Sequence, residues 1–266
     1  MKSVAVITGA ASGIGRGMAE RFAAEGMAVV LADIEEEPLA KLEADLRAKG
    51  ATVLAVKTDV SNAKDVENLA EQTLDAFGAV HILCNNAGVV CSRPIWEHSI
   101  ADWEWVLGVN LWGVIHGIRA FVPRMLAQET KCHIVNTASI LGLVRGAGEG
   151  IYKVSKYGVV ALSETLADEL AQKGSQIQVH VLCPGWVRTG ILDSARNRPD
   201  VLQNPELETQ QTLGASRNVR AEMESGMSSA EVADHVYKAI QDGTFYIHTH
   251  PELKTWVYAR MEGILG

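Results

Sequence analysis

The chain has 266 residues, 47% hydrophobic and 21% charged, with a formal net charge of −8. That length suits one α/β domain with a large core. The acidic balance, with no basic run longer than two residues, argues against nucleic acid and anionic membranes as partners.

The four cysteines (Cys84, Cys91, Cys132 and Cys183) show no C-x-x-C spacing. Three lie in or beside apolar runs and read as reduced core residues, which predicts a reducing, cytoplasmic setting. Met1-Lys2 runs straight into a strand pattern, so no signal peptide is expected. No apolar segment is expected to approach the ~20 residues of a membrane span.

Val4 to Thr8 is a short apolar run read as a buried parallel strand. Gly9-Ala-Ala-Ser-Gly13-Ile-Gly15 follows, then a helix from about Gly13 to Glu25. Glycines at such a turn let the backbone approach a pyrophosphate, and the helix N-terminus adds N–H groups and a positive dipole end. The spacing is G-x-x-x-G-x-G rather than the commoner G-x-G-x-x-G.

A second strand, Ala28 to Ala32, ends at Asp33, 18 residues beyond Gly15. An acid there would accept hydrogen bonds from the adenosine ribose of NAD and repel the 2′-phosphate of NADP. Ile34, Glu35, Glu36 and Glu37 follow with no base, and Ser12 stands where a base could have met that phosphate. All three features favour NAD.

A helix (about Glu37 to Lys49), a strand (Val53 to Lys57), Asp59-Val60 and a helix (about Asn62 to Phe77) come next. The strand Ile82 to Cys84 leads into Asn85-Asn86-Ala87-Gly88, a turn of small and amide residues suited to lie under a nucleotide. A helix over roughly Ile100 to Ala127 contains Asn110 among apolar neighbours, and a buried Asn needs partners.

The strand His133 to Ala138 closes at Ser139. Tyr152 and Lys156, four residues apart at the start of a helix running to about Lys173, share one helix face. An ammonium near a phenol lowers the phenol's pKa, which suits it to pass a proton to a carbonyl or take one from an alcohol. Ser139 can add a second hydrogen bond to the same substrate oxygen.

After the strand Gln178 to Leu182 and Cys183-Pro184-Gly185, residues 189–227 are polar and broken, and they read as a lid with short helices. Ser228 opens another helix to about Gln241, Thr244 to His248 is a last strand, and Pro251 opens a final helix. His248 and His250 read as surface residues rather than metal ligands, and no metal is expected. The alternation predicts a doubly wound parallel sheet, Rossmann-like, in a single domain (1–266) with a lid at about 190–227 and a C-terminal extension helix.

Taken together, these residues resemble the short-chain dehydrogenase/reductase family. The motifs fall in the family's order: T-G-x-x-x-G-I-G at 8–15, D-V at 59–60, N-N-A-G at 85–88, Asn110, Ser139, Y-x-x-x-K at 152–156 and P-G at 184–185. The resemblance covers roughly residues 3 to 190 plus the helix and strand near 228–248.

It implies Tyr152 as general acid/base, Lys156 lowering the Tyr152 pKa and holding the nicotinamide ribose, and Ser139 on the substrate oxygen. It implies Asn110 as holder of a water in a proton relay. It places the cofactor against Gly9, Ser12, Gly13, Ile14 and Gly15, against Asp33 and Ile34, and against Asp59 and Val60. Further cofactor contacts are implied at Asn86, Ala87, Gly88, Val109, Pro184, Gly185, Val187 and Thr189. A homotetramer or homodimer pairing through the helices at 100–127 and 152–173 is also implied.

The leading expectation is an NAD-dependent enzyme interconverting a secondary alcohol and a ketone. The alternatives are an acyl-thioester ketoreductase of fatty-acid type and a non-catalytic NAD-binding regulator. Val90, Trp96, Ile140, Leu141 and Trp186 follow strand ends and are predicted, with Ser139 and Tyr152, to line the substrate pocket. None of these five apolar residues is charged, so the expected substrate is neutral and hydrophobic, plausibly aryl-substituted.

Overall fold

Seven short runs rich in Val, Ile, Leu and Ala form one parallel sheet in the order β3-β2-β1-β4-β5-β6-β7. The strands are β1 (Val4–Thr8), β2 (Ala28–Asp33), β3 (Thr52–Lys57), β4 (Ile82–Asn85), β5 (Cys132–Thr137), β6 (Ile177–Cys183) and β7 (Tyr246–His248). The structure is a computed structural model and describes residues 2–204 and 216–266. Strands β1, β2, β4 and β5 are buried along their whole length. That burial explains their near-continuous apolar sequence, since helices cover both faces of a parallel sheet.

On one face α1 (Gly13–Ala24), α2 (Glu36–Ala48) and α8 (Ser229–Asp242) bury Met18, Phe22, Leu42, Val232 and Val236 against the sheet. On the other, α3 (Ala63–Phe77), α5 (Gly113–Ala127) and α6 (Gly150–Gln172) bury Leu69, Phe121, Met125, Leu166 and Leu170. The strand order reverses between β1 and β4, and the crevice at the carboxyl ends of these strands is where doubly wound sheets bind ligands.

Outside 100–127 and the segment after residue 189, the predicted strands and helices are present, with boundaries moved by at most three residues. Ser228 caps α8 in a reciprocal box with Glu231. Asn62 accepts from the Lys64 N–H at the start of α3.

Two expectations need correction. The helix read over 100–127 is interrupted: α4 (Ile100–Leu107) passes through one π turn, Gly108–Trp112, into α5. The π turn carries Asn110. This 28-residue run is also long and apolar enough to cross a membrane by length and composition, contrary to the sequence reading. Half of its apolar window is buried, and Phe121, Val122 and Met125 are packed into the core.

Residues 189–204 contain short 3-10 turns, Ile191–Asn197 and Asp200–Leu202, and α7 (Ser216–Glu224) follows. The part of the expected lid at 205–215 lies outside the described residues. The segment leaves and returns at one point, where Val187 bridges Met227. Pro251 begins a 3-10 turn, and α9 (Lys254–Leu265) completes the chain.

Candidate active site

At one end of the crevice the chain supplies mainly backbone. Gly9 has φ +66°, and a Cβ there would stand 2.8 Å from the Ala87 Cα. A Cβ on Gly15 would meet the Gly9 carbonyl oxygen at 2.0 Å. The two glycines therefore let β1, α1 and the turn after β4 close on one another. Thr8 fastens the same junction: its hydroxyl accepts from the N–H groups of Asn86 (2.9 Å) and Ala87 (3.1 Å). Among the described residues no acid stands in the first turn of α1, and Ser12 makes no side-chain cap there, so the N-terminal amides face the crevice uncapped.

Asp33 is 8% exposed and lines the crevice. Its carboxylate accepts from the N–H groups of Ala11 (2.9 Å) and Glu35 (3.0 Å). Burial holds its pKa above the ordinary carboxylate value, against those lowering hydrogen bonds. Gly9, Ser12, Gly13, Ile14, Asp33, Ile34, Asp59, Val60, Asn86, Ala87, Gly88, Val109, Pro184, Gly185, Val187 and Thr189 all border the one crevice. Gly15 does not, because it is spent on the packing against Gly9. These backbone donors, the close-approach glycine and the buried acid fit a dinucleotide.

In the middle of the crevice the structure brings Ser139, Tyr152 and Lys156 together. The Ser139 hydroxyl, which accepts from the Leu141 N–H at 3.1 Å, stands near enough to the Tyr152 hydroxyl to favour its ionised form. Lys156 Nζ donates to the Thr137 carbonyl at 2.7 Å and lies 5.5 Å from the centre of the Tyr152 ring.

Here the sequence reading is corrected. Burial pushes the Tyr152 phenol up to about 12, which outweighs the lowering influence of Ser139 and is reinforced by the charge of Glu149. Burial likewise pushes Lys156 down to about 8. Removal from water is the largest influence on each group. The phenol is therefore held in its protonated form at neutral pH.

Asn110 does not border the crevice. Its side chain clasps Val89, accepting from the N–H at 2.8 Å and donating to the carbonyl at 2.9 Å, and it also donates to Ser155 Oγ at 3.1 Å. Ser155 Oγ in turn donates to the Tyr152 carbonyl at 2.7 Å. Asn110 thus ties the turn after β4 to the first turn of α6, which carries Tyr152.

The far end of the crevice is made of side chains. Val90, Ile140, Leu141 and Trp186 line it as expected. Trp96 does not: it sits on an exposed 3-10 turn and is 81% exposed. Its place among the apolar walls is taken by Trp105, Leu202, Leu253 and Trp256, from α4, the expected lid and the C-terminal extension. Nothing in the local sequence flags these four, because separate segments converge only in the fold.

Lys153 reaches the rim, where its ammonium donates to the carbonyls of Gly146 and Ala147. Arg93 and Arg145 do not line the crevice. His250 is not a free surface histidine, since its Nδ1 meets the Gly185 N–H at 3.3 Å and the Thr249 hydroxyl at 2.7 Å.

A buried polar cluster anchors this end. Arg198 donates to the Asp102 carboxylate at 2.6 Å, with side chains 8% and 0% exposed respectively. Asn204 donates to the same oxygen at 2.8 Å, and Asp102 completes a reciprocal cap with Ser99 at the start of α4. Burial raises the Asp102 pKa, but the Arg198 and Ser99 hydrogen bonds and the nearby arginine charges outweigh it, and the net shift is downward.

The Cys91 thiol, the His98 ring and the Asp102 carboxylate place ligand-type atoms within 4.8 Å of one another. Both Asp102 oxygens are already engaged, however, and burial first, then the Asp102 charge, pushes the thiol up to about 11.

Residues 3–200 match the family model described as short chain dehydrogenase. The chain is 35% identical, over 98% of its length and 93% of the relative's, to a CLA biosynthesis dehydrogenase/reductase of Lactiplantibacillus plantarum. It is 35% identical, over 94% of its length and 84% of the relative's, to a 1-deoxy-11-beta-hydroxypentalenate dehydrogenase of Streptomyces exfoliatus. Among solved structures it superposes with a TM-score of 0.97, at 47% identity, on a short chain dehydrogenase/reductase from Burkholderia phymatum solved in complex with NAD. The match covers 99% of this chain and 94% of that one. The chain belongs to the short-chain dehydrogenase/reductase family and is an oxidoreductase, which sets aside the reading as a non-catalytic regulator.

Proposed function

We propose that this enzyme interconverts a neutral, mainly hydrophobic, aryl-substituted secondary alcohol and the matching ketone, with NAD as its cofactor. The observation that carries the substrate class is the apolar wall of the far end: Val90, Trp105, Ile140, Leu141, Trp186, Leu253 and Trp256 around the Ser139–Tyr152 hydroxyls. The buried Asp33 carboxylate supports NAD over NADP, because a 2′-phosphate beside it would meet like charge.

Tyr152 would pass its proton to the carbonyl oxygen during reduction and take it back during oxidation. Ser139, which lines the crevice with Tyr152, would hold the same oxygen and fix the geometry of that transfer. Lys156, held on the Thr137 carbonyl with its ammonium 5.5 Å from the Tyr152 ring centre, would steady the phenolate left once the proton has moved, and Asn110 would keep the start of α6 in register with the turn after β4. Bound beside these groups, NAD supplies the hydride acceptor and NADH the donor.

The test is a matched pair of substrates, an aryl alkyl carbinol and a small hydroxy acid, followed by NADH absorbance. A higher kcat/KM for the carbinol is expected. A preference for the hydroxy acid would overturn the apolar-pocket reading.

A further inference from the structure

The sequence shows no base after Asp33, yet a cation stands at that end of the crevice. Arg196, 161 positions beyond Glu35 in the chain, lines the same wall as Asp33, Ile34 and Glu35. Its Nε and Nη2 donate to the two carboxylate oxygens of Glu35 at 2.9 and 2.7 Å. Its Nη1 donates to the Gly190 and Asp193 carbonyls at 3.3 and 2.9 Å. Glu35 in turn is seated against Asp33, since its N–H donates to the Asp33 carboxylate. The Glu35 hydrogen bonds and charge, and more weakly the charges of Asp193 and Asp33, hold the Arg196 pKa above its ordinary value.

A planar guanidinium fork is the side chain best matched to a phosphate monoester, and a carboxylate occupies the same two donors in the same geometry. Four hydrogen bonds already take up most of the five N–H donors of Arg196, and Glu35 neutralises its charge. The pair is solvent-accessible on one side, with side chains 41% and 20% exposed, so it can be opened without dismantling the core.

We propose that Glu35 is a second determinant of cofactor choice. By engaging Arg196 bidentately it withholds from a 2′-phosphate the guanidinium that would bind it, and the enzyme keeps NAD because this clamp works alongside the Asp33 carboxylate. The inference rests on the NAD reading above. The same clamp ties the turn after residue 190 to the end of β2 across the mouth of the crevice.

The test is calorimetric affinity for NAD and NADP, which needs no knowledge of the substrate. Wild type is compared with Glu35→Gln, Arg196→Ala and the double variant, with thermal unfolding as a folding control. Glu35→Gln should raise the ratio of NADP to NAD affinity at least tenfold. The double variant should lose most of that gain, and Arg196→Ala alone should show none.

An unchanged ratio in Glu35→Gln would overturn the proposal. So would an equal gain in the double variant, since loss of a negative charge would then suffice. A wild type that already prefers NADP would sink the NAD reading itself, and the clamp with it, before any substitution is made. Adenosine 2′-monophosphate gives an independent reading: Glu35→Gln should bind it more tightly than wild type, and the gain should vanish with Arg196→Ala added.

Discussion

The two ends of the crevice are built on different principles. The cofactor end is mostly backbone, drawn chiefly from the first ninety or so residues and completed by the segment at 184–196: glycine turns, a helix N-terminus and strand ends held by Thr8 and Asp33. The substrate end is mostly side chain, drawn from the turn after β4, from α4, from the segment after residue 190 and from α9. A backbone cradle recognises a group common to many reactions and tolerates little change, because a Cβ at Gly9 already collides. A side-chain wall can be rewritten one residue at a time, so it is where specificity can vary on a fixed frame.

The largest expected effect falls where the two ends meet. Tyr152→Phe keeps the ring and removes the transferable proton, so kcat should drop by about 10²–10⁴-fold. Calorimetric affinity for NAD should stay near wild type, because the glycine turn is untouched. Near-normal turnover would take Tyr152 out of the mechanism.

The pH profile sharpens the same point. With the phenol's pKa raised toward about 12, the proton-donating form dominates at neutrality. Alcohol oxidation, which needs the deprotonated form, should therefore accelerate as pH rises, while ketone reduction should not. In the Phe variant that slope should be gone.

A smaller effect should separate the ends by stability. Asp102→Asn removes the charge that Arg198 is buried against, and breaking such a buried pair costs about 3–5 kcal/mol. Urea unfolding should register that loss. In the folded variant the KM for substrate should rise more than the affinity for NAD falls, since Asp102 anchors only the apolar end. Equal losses at both ends would show that the two are not independent.

The smallest expected effect is local. Trp256→Ala should lower kcat/KM for an aryl carbinol by about tenfold, roughly 1.4 kcal/mol, the scale of one aromatic contact. Its NAD affinity should not move. An unchanged kcat/KM would remove α9 from the substrate wall.

Legibility in the sequence followed the same division. The glycine spacing and Asp33 are short-range features that the order β1-turn-α1-β2 places without help from distant residues, and the Asn86–Gly88 turn is legible as the short segment that ends β4. Ser139, Tyr152 and Lys156 could be read for a related reason: one strand end and one helix turn set them side by side. Trp96 was misplaced because an apolar residue just after a strand end looks like a pocket wall, yet its 3-10 turn points it to solvent. The direction of the Tyr152 shift was also misread. Proximity to Lys156 is visible in the spacing, but the burial that dominates it is a property of the packed fold.

By itself the sequence determined the sheet, its doubly wound topology, the glycine turn and the grouping of Ser139, Tyr152 and Lys156, because alternating apolar runs, glycines and caps act within a few residues of one another. The tertiary structure alone decided that Arg196 meets Glu35, that Arg198 is buried on Asp102, and that Leu253 and Trp256 complete the substrate wall. Those contacts join residues tens to more than a hundred positions apart. No local propensity encodes them, and they exist only once the sheet has brought its carboxyl ends and the C-terminal segment to one side.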